Sequence, residues 1–478
     1  MAAEHGLDPS DWRVVRDQGH RMLDDMFDHL ESLREQPVWR PIPQAVRQRF
    51  RSAPPTAPSP LSEAHASFMR DVLPYAGGNL HPGFMGWVQG AGTPVGMLAE
   101  MLAGGLNANL GGRDHMPIEV EREVIGWMRQ LLGFPDGASG LLVTGASAAN
   151  FIGVLVARQR VLGAAGRHQG ATGARLTAYA SAGVHGCVPR AMEMAGLGSD
   201  ALRPIAVTAD QRIDLAALRH AIETDRRAGF KPFLLVGNAG AVDTGAIDDL
   251  DALADLAKAE GLHFHIDGAF GALGVLAPEI APLLKGLERA DSIAFDFHKW
   301  AHVPYDAGCV LVRDQTLHRE TFAAEAAYLQ RARRGLAGGD WWPCDYGPDL
   351  SRGFRALKTW FTLKVYGTDA IGAAIARSCA LARDLERRIA AEPALELLAP
   401  VALNIVCFRY ACDDADHINR AIVADLQEAG QVAPSLTTVG GKAAIRAALF
   451  NHRTDARDLD ALVHGVLALG AAAQRGAA

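Results

Sequence analysis

Lys299 is the most chemically informative side chain in this 478-residue chain, because it follows His298 at the end of the short apolar run DSIAFDFHKW, Asp291 to Trp300. Ile293, Phe295 and Phe297 alternate with Ala294, Asp296 and His298, a period of two that predicts a strand with one buried face and the lysine emerging at its end. An ammonium there must pair, lose its proton or react, and a neutral amine in a dry pocket is what Schiff-base chemistry with an aldehyde requires. The competing reading is a lysine that snorkels to the surface after an ordinary strand.

A second strand end weighs on that choice. In GLHFHIDGAFG, Gly261 to Gly271, Leu262, Phe264 and Ile266 alternate with His263, His265 and Asp267, after which Gly268, Ala269 and Gly271 leave room beyond the strand. An aspartate in that position can keep a pyridinium nitrogen protonated, which makes the ring an electron sink. His263, His265 and Asp267 also share a face at H-x-H spacing, so a metal-dependent hydrolase competes, although no third strand completes a ligand set. A phosphate site is offered by LLVTGASAANFIGVLVAR, Leu141 to Arg158, a strand, a small-residue turn and a helix. Amides at that helix start and the Ser147 hydroxyl suit a dianion. Gly145 to Ala148 also resemble the front of a serine-hydrolase elbow, but Ala149 stands where that motif needs its second glycine.

Strand, aspartate, small residues, then a strand ending in His-Lys is the pattern of the group II pyridoxal-phosphate decarboxylases, the family of aromatic amino acid and glutamate decarboxylases. The chain resembles that family from His81 to Tyr366, and more loosely at its two ends. The resemblance implies an α/β enzyme of the aspartate-aminotransferase-like type, fold type I, with a mostly parallel central sheet and a smaller C-terminal α/β domain. It implies pyridoxal 5'-phosphate held as a Schiff base on Lys299 beside His298, with its ring nitrogen on Asp267. By the same resemblance the ring lies between His185 of YASAGVHGCVPRAMEMAG and Ala269, and the phosphate lies at Ala146 and Ser147. The substrate pocket implied has Trp87 and Gln89 from HPGFMGWVQGAGTPVG, and Asn109 and Gly111 from NANLGGRDH, where aromatic-substrate members carry bulkier apolar groups.

The reaction implied is decarboxylation of an L-amino acid to its amine, with an oxygen-dependent decarboxylating aldehyde synthase as the alternative on the same fold. Three departures from the family pattern bear on it. Ala241 stands where the family has threonine, and Asp296 stands where many members have asparagine near the phosphate, so an unpaired carboxylate there would repel the dianion. Counting back from Phe354 places Trp342 and Pro343 at the loop tyrosine that protonates the α-carbon, which leaves Tyr346 as a displaced acid and His185, through a water, as another donor.

These residues need strand–helix units to hold them. FLLVGNAGAVDTGAIDDL, Phe233 to Leu250, is one more apolar strand with a glycine-rich end, and repeated units of this length predict a mostly parallel sheet with ligands at the strands' carboxyl ends. Past Lys299, HVPYDAGCVLVRD reads as a hairpin, and Ala323 to Asp349 as a mobile loop. The helix DLSRGFRALKTWFTLKVYG follows, and a further helix over Ala370 to Ile389 is capped by Thr368. Residues 11–35 carry an amphipathic stripe, broken by PVWRPIP and the proline-rich Arg51 to Ser62. The expected division is therefore a helical arm over 1–80, a large cofactor domain over 81–366 and a small domain over 367–478. In the resembling family such an arm wraps a second copy, so a homodimer is expected.

Composition fits a globular enzyme, with 49% hydrophobic and 21% charged residues. A net charge of -7 and a pI near 6.2 give no footprint for nucleic acid or an anionic membrane. No stretch reads as a signal peptide or membrane span, so a soluble, cytoplasmic protein is expected. The six cysteines form no C-x-x-C pair, which points to neither a disulfide framework nor a zinc cluster, and no metal is expected.

Overall fold

Proline and polar runs near the N-terminus divide it into separate helices. In the computed structural model, which describes residues 6–323 and 331–477, these are α1 (Trp12–Glu31), α2 (Gln44–Arg49) and α3 (Leu61–Asp71). The Asp11 carboxylate starts α1 by accepting from the Arg13 amide. A two-residue strand, β1 (Phe84–Met85), comes next, then α4 (Pro94–Leu106), capped by the Thr93 hydroxyl on the Gly96 amide, and α5 (Met116–Leu131).

The alternating region then runs β2 (Ser139–Val143), α6 (Ala146–Gln169), β3 (Leu176–Ser181), α7 (Cys187–Met194), β4 (Leu202–Ile205), α8 (Leu215–Arg227), β5 (Lys231–Asn238), α9 (Leu250–Glu260), β6 (His263–Asp267), β7 (Ser292–Asp296), β8 (Gly308–Val312) and α10 (Gln315–Phe322). Its seven strands form one sheet in the order β2-β8-β7-β6-β5-β3-β4, in which only β8 runs antiparallel to its neighbours. Helices cover both faces of such a sheet. That cover corrects one expectation. β6 and β7 are buried on both faces, not one, because the polar residues in their alternation pair with each other in the interior and do not face water.

The remainder is α11 (Arg355–Ala391), β9 (Leu395–Leu397), β10 (Ile405–Tyr410), α12 (Ala415–Ala429), β11 (Ala433–Val439), β12 (Lys442–Ala448) and α13 (Ala456–Ala477). The two helices expected on either side of residue 367 are limbs of α11, which breaks at Gly367 with φ at +74°, a conformation glycine adopts cheaply. A second sheet has the order β1-β11-β12-β10-β9, so β1 joins it across most of the chain, Phe84 lying opposite Ala433. Its own core includes Phe408, Ile445 and Leu462. Residues 324–330 of the stretch expected as a mobile loop lie outside the described residues; the stretch ends in a short turn of helix over Pro343–Tyr346.

Candidate active site

Because β6 and β7 are parallel neighbours, with Asp267 opposite Ala294, their carboxyl ends present Asp267, Asp296 and Lys299 to the same edge of the sheet. Lys299 Nζ lies 2.8 Å from Oδ2 of Asp296, whose side chain is only 2% exposed. Oδ1 of Asp296 accepts the Ala146 amide at 2.6 Å. Asp296 is therefore paired, by the lysine and by the start of α6. His298 Nε2 is 3.5 Å from the same carboxylate, and its Nδ1 accepts the Ala307 amide at 3.0 Å. Burial lowers the His298 pKa, and the ring lies against Tyr305 with centroids 4.2 Å apart.

Asp267 is buried, and its Oδ1 accepts the Ala269 amide at 3.1 Å. Burial raises its pKa, while Lys299 and His185 oppose that rise by their charge. A carboxylate so placed needs a positive partner on its open side, and a protonated ring nitrogen meets that need. The Ala269 carbonyl accepts the Asp296 amide at 2.9 Å, which locks the two strand ends together. His185 is exposed, its Nδ1 accepting the Cys187 amide at 3.2 Å.

The start of α6 forms a cradle. Gly145 precedes the helix, Thr144 and Ser147 are exposed beside it, and Gly308 comes so near that an added Cβ would stand 2.4 Å from Gly145 Cα and 2.7 Å from Asp296 Oδ1. The Ser147 amide and hydroxyl at the helix start, next to an amine and a buried carboxylate, fit the phosphate, aldehyde and ring nitrogen of pyridoxal phosphate, while the Ala148 and Ala149 amides turn back to the Gly145 carbonyl. Ala241 closes a tight turn, donating to the Ala246 carbonyl at 2.7 Å, and offers no hydroxyl.

The strip carrying Trp87 and Gln89 reaches the lysine. The Gly90 amide donates to the His298 carbonyl at 3.1 Å, and a Cβ on Gly90 would stand 2.4 Å from the carbonyls of His298 and Lys299. Trp87 itself is 57% exposed. Asn109 and Gly111 are engaged elsewhere: the Asn109 side chain accepts the amides of Gly111 and Arg352, and Gly111 packs on the Leu350 carbonyl. Tyr346 is not brought to Lys299 in this chain. It is buried against His318 and Trp341 with its hydroxyl accepting from Gln315 Nε2 at 3.0 Å, so the displaced-acid expectation is corrected. Trp342 is also buried, its indole N–H donated to the Gly338 carbonyl.

His263 and His265 are tied to Ser292 Oγ at 2.8 and 2.7 Å, and no group of three potential ligands able to hold a metal occurs among the described residues. Sequence reasoning missed Asn150, Cys187 and Ser292, all buried beneath Asp267. One signal was available: Asn150 is a polar residue on the sheet-facing side of an otherwise small and apolar helix start.

The comparisons agree with this geometry. The pyridoxal-dependent decarboxylase conserved domain matches residues 43–411. An aromatic-L-amino-acid decarboxylase of Bacillus atrophaeus is 33% identical over 467 residues, covering 95% of each chain. A phenylacetaldehyde synthase of Arabidopsis thaliana is 26% identical over 93% of each chain. The crystal structure of the Oryza sativa enzyme TDC with PLP and tryptamine superposes with a TM-score of 0.90 at 24% identity, covering 97% of this chain and 99% of that one, which establishes the fold. With a family match across most of its length and a lysine, an aspartate and a helix start converging at one sheet edge, this chain belongs to the pyridoxal-phosphate-dependent amino acid decarboxylases.

Proposed function

We propose that the enzyme releases the α-carboxylate of an L-amino acid as carbon dioxide, with Lys299, Asp267 and the start of α6 as its working parts. The observation that carries this reading is the placement of Lys299 and Asp267 beyond neighbouring parallel strands, opposite that helix. Bound pyridoxal phosphate supplies an electron sink for the pair left behind by the departing carboxylate. Lys299 Nζ supplies the amine that holds the cofactor, and Asp296 Oδ2 is placed to receive its proton. Asp267 holds the ring-nitrogen proton. His185 and Ala269 bound the ring, while Ala146 and Ser147 receive the phosphate.

Trp87 and Gln89 face the substrate, since their strip packs on the lysine backbone; Asn109 and Gly111 shape the pocket from behind through Arg352. The amine is the main product, with His185, through a water, as the candidate to return a proton to the α-carbon. One reading supports the alternative: by the family resemblance Trp342 and Pro343 stand where the loop tyrosine would be, and Tyr346 is buried with its hydroxyl on Gln315. A carbanion that is not protonated can reduce oxygen, and amino acid, oxygen and water then give aldehyde, carbon dioxide, ammonia and hydrogen peroxide. The experiment is to incubate the holoenzyme in air with a panel of amino acids and assay carbon dioxide, amine, aldehyde and peroxide. Amine matching carbon dioxide supports the decarboxylase, whereas aldehyde and peroxide matching it support the synthase.

The working unit is a homodimer, a reading supported by the apolar face that α1 leaves exposed through Trp12, Val14, Val15 and Met22. A cytoplasmic setting is supported by six free cysteines, five of them buried.

A further inference from the structure

Beneath Asp267 runs a line of hydrogen bonds that the H-x-H spacing in β6 only hinted at. His263 Nε2 lies 2.8 Å from Ser292 Oγ, and that hydroxyl lies 2.7 Å from His265 Nδ1. His265 Nε2 lies 2.7 Å from Asn150 Oδ1, and Asn150 Nδ2 donates to Cys187 Sγ at 3.3 Å. Cys187 Sγ in turn lies 4.0 Å from Asp267 Oδ2. All six side chains are buried.

The direction of the line follows from donor and acceptor chemistry. A carboxylate only accepts, so the Cys187 thiol turns its S–H to Asp267, its sulfur accepts the Asn150 N–H, and the Asn150 oxygen faces His265. His265 then carries its proton on Nε2 and leaves Nδ1 bare, so Ser292 must donate to it. Ser292 Oγ is thereby free to accept, and His263 must carry its proton on Nε2. Every hydrogen points toward Asp267. Burial keeps both imidazoles neutral, pulling His263 down to about 4 and His265 to about 3. It pushes the Cys187 thiol up to about 12, so that thiol remains a donor.

The helix above is shaped for this arrangement. Gly153 in α6 sits so close that an added Cβ would be 2.5 Å from His265 Cε1, so the ring occupies space that any other residue would take. Lys299 and His185 on the open side are the other charges that bear on Asp267, and Asp291 and Arg160 those that bear on His263.

We infer that His263, Ser292, His265, Asn150 and Cys187 form a one-way relay of neutral dipoles that keeps Asp267 ionised, and thereby sets how firmly the proton is held on the cofactor's ring nitrogen. These are positioning residues: they touch neither substrate nor cofactor and act through Asp267. The inference rests on the reading of Asp267 given above. A carboxylate buried without donors would protonate itself and leave the ring nitrogen bare, whereas aligned donors polarise one another and favour the charged form.

Two measurements test it. In cofactor-free protein labelled with 15N-histidine, His263 and His265 are expected as neutral Nε2–H tautomers at pH 7, with His263→Gln and His265→Gln assigning the signals. A charged ring or an Nδ1–H tautomer at either position overturns the relay, whatever the role of Asp267. In holoenzyme loaded with ring-15N cofactor, Ser292→Ala is expected to move the ring-nitrogen shift toward its unprotonated value. It is also expected to lower kcat about tenfold with KM unchanged, and Ser292→Thr to restore both. An unchanged shift and kcat in Ser292→Ala overturn the inference. A ring nitrogen that stays protonated in Asp267→Asn overturns instead the reading of Asp267 on which the relay's purpose depends.

Discussion

Asp296 holds Lys299 by a 2.8 Å ion pair and, through its second oxygen, accepts the amide of Ala146 at the start of α6. The amine and the helix start are thus tied to one carboxylate, which a phosphate held at Ala146, as proposed above, would have to share or displace.

Asp296→Asn is therefore expected to bind pyridoxal phosphate more tightly. Like charges about 4 Å apart repel by about 4 kcal/mol at an effective dielectric constant near 20, so even a fraction of that term gives an affinity gain of at least about tenfold. Fluorescence titration of the cofactor-free variant measures it, and an equal or larger Kd shows that the carboxylate turns away from the phosphate.

Asp267→Asn should still bind cofactor, because the lysine and helix start remain, but lose turnover by about 100-fold or more, because a neutral amide cannot keep a proton on the ring nitrogen. Parallel Kd and kcat measurements separate the two effects. Turnover within a few-fold of the unmutated enzyme assigns that charge to another residue.

Acid should destabilise the fold earlier than carboxylate titration alone predicts. His263 and His452 are pulled down to about 4, and His265 and His318 to about 3, from an ordinary 6.5, by burial. A depressed folded-state value means that the neutral-ring stability is complete above pH 6.5. It is lost as pH falls from there toward 3–4, at up to about 1.4 kcal/mol per pH unit for each ring. Urea midpoints at pH 7 and pH 5 should differ accordingly, and equal midpoints would mean that these rings are accessible to protons in the folded state.

Arg352 and Glu121 form a fully buried pair, and Arg352 also donates to the carbonyls of Leu110 and Leu142, binding α5, β2 and the segment before α11. Glu121→Ala leaves the guanidinium without its counter-charge and should cost about 3–5 kcal/mol, read as a lower denaturant midpoint. A loss below about 1 kcal/mol would mean that water enters to solvate the arginine.

Tyr346→Phe removes only the hydrogen bond from Gln315 and is expected to leave kcat within about twofold while costing about 1 kcal/mol of stability. A kcat collapse without loss of stability would restore the tyrosine as the acid.

Much of this site was legible in sequence because its chemistry sits at strand ends, where alternation, glycine and a terminal polar residue occur together, as at Asp267 and Lys299. Alternation was less reliable about exposure. His263, His265 and Ser292 look like the wet side of their strands, yet they satisfy one another in the interior, a pairing between strands that no single segment reveals. Tyr346 was misplaced for a related reason: spacing along a loop gives reach but not direction, and its direction is set by Gln315 and His318 on α10. The partner of Asp296 was hidden because its neighbour three residues on in sequence, Lys299, folds back over the strand end.

The pairing of β1 with β11 carries a consequence for how the enzyme is made. Ser435 Oγ donates to the Gly86 carbonyl across 349 residues, and Asn451 donates to the carbonyls of Asn79, Leu80 and His81, on the strip that delivers Trp87 and Gln89 to Lys299. At a synthesis rate of roughly 5–20 residues per second, the strip waits on the order of 20–70 s for its partner strand after it leaves the ribosome. Lys299 is made well before β11, so a nascent chain has its reactive amine before that strip is fixed in place. Chains truncated before Ala433 are accordingly expected to react with the cofactor's aldehyde, as any exposed lysine does, yet to release no carbon dioxide.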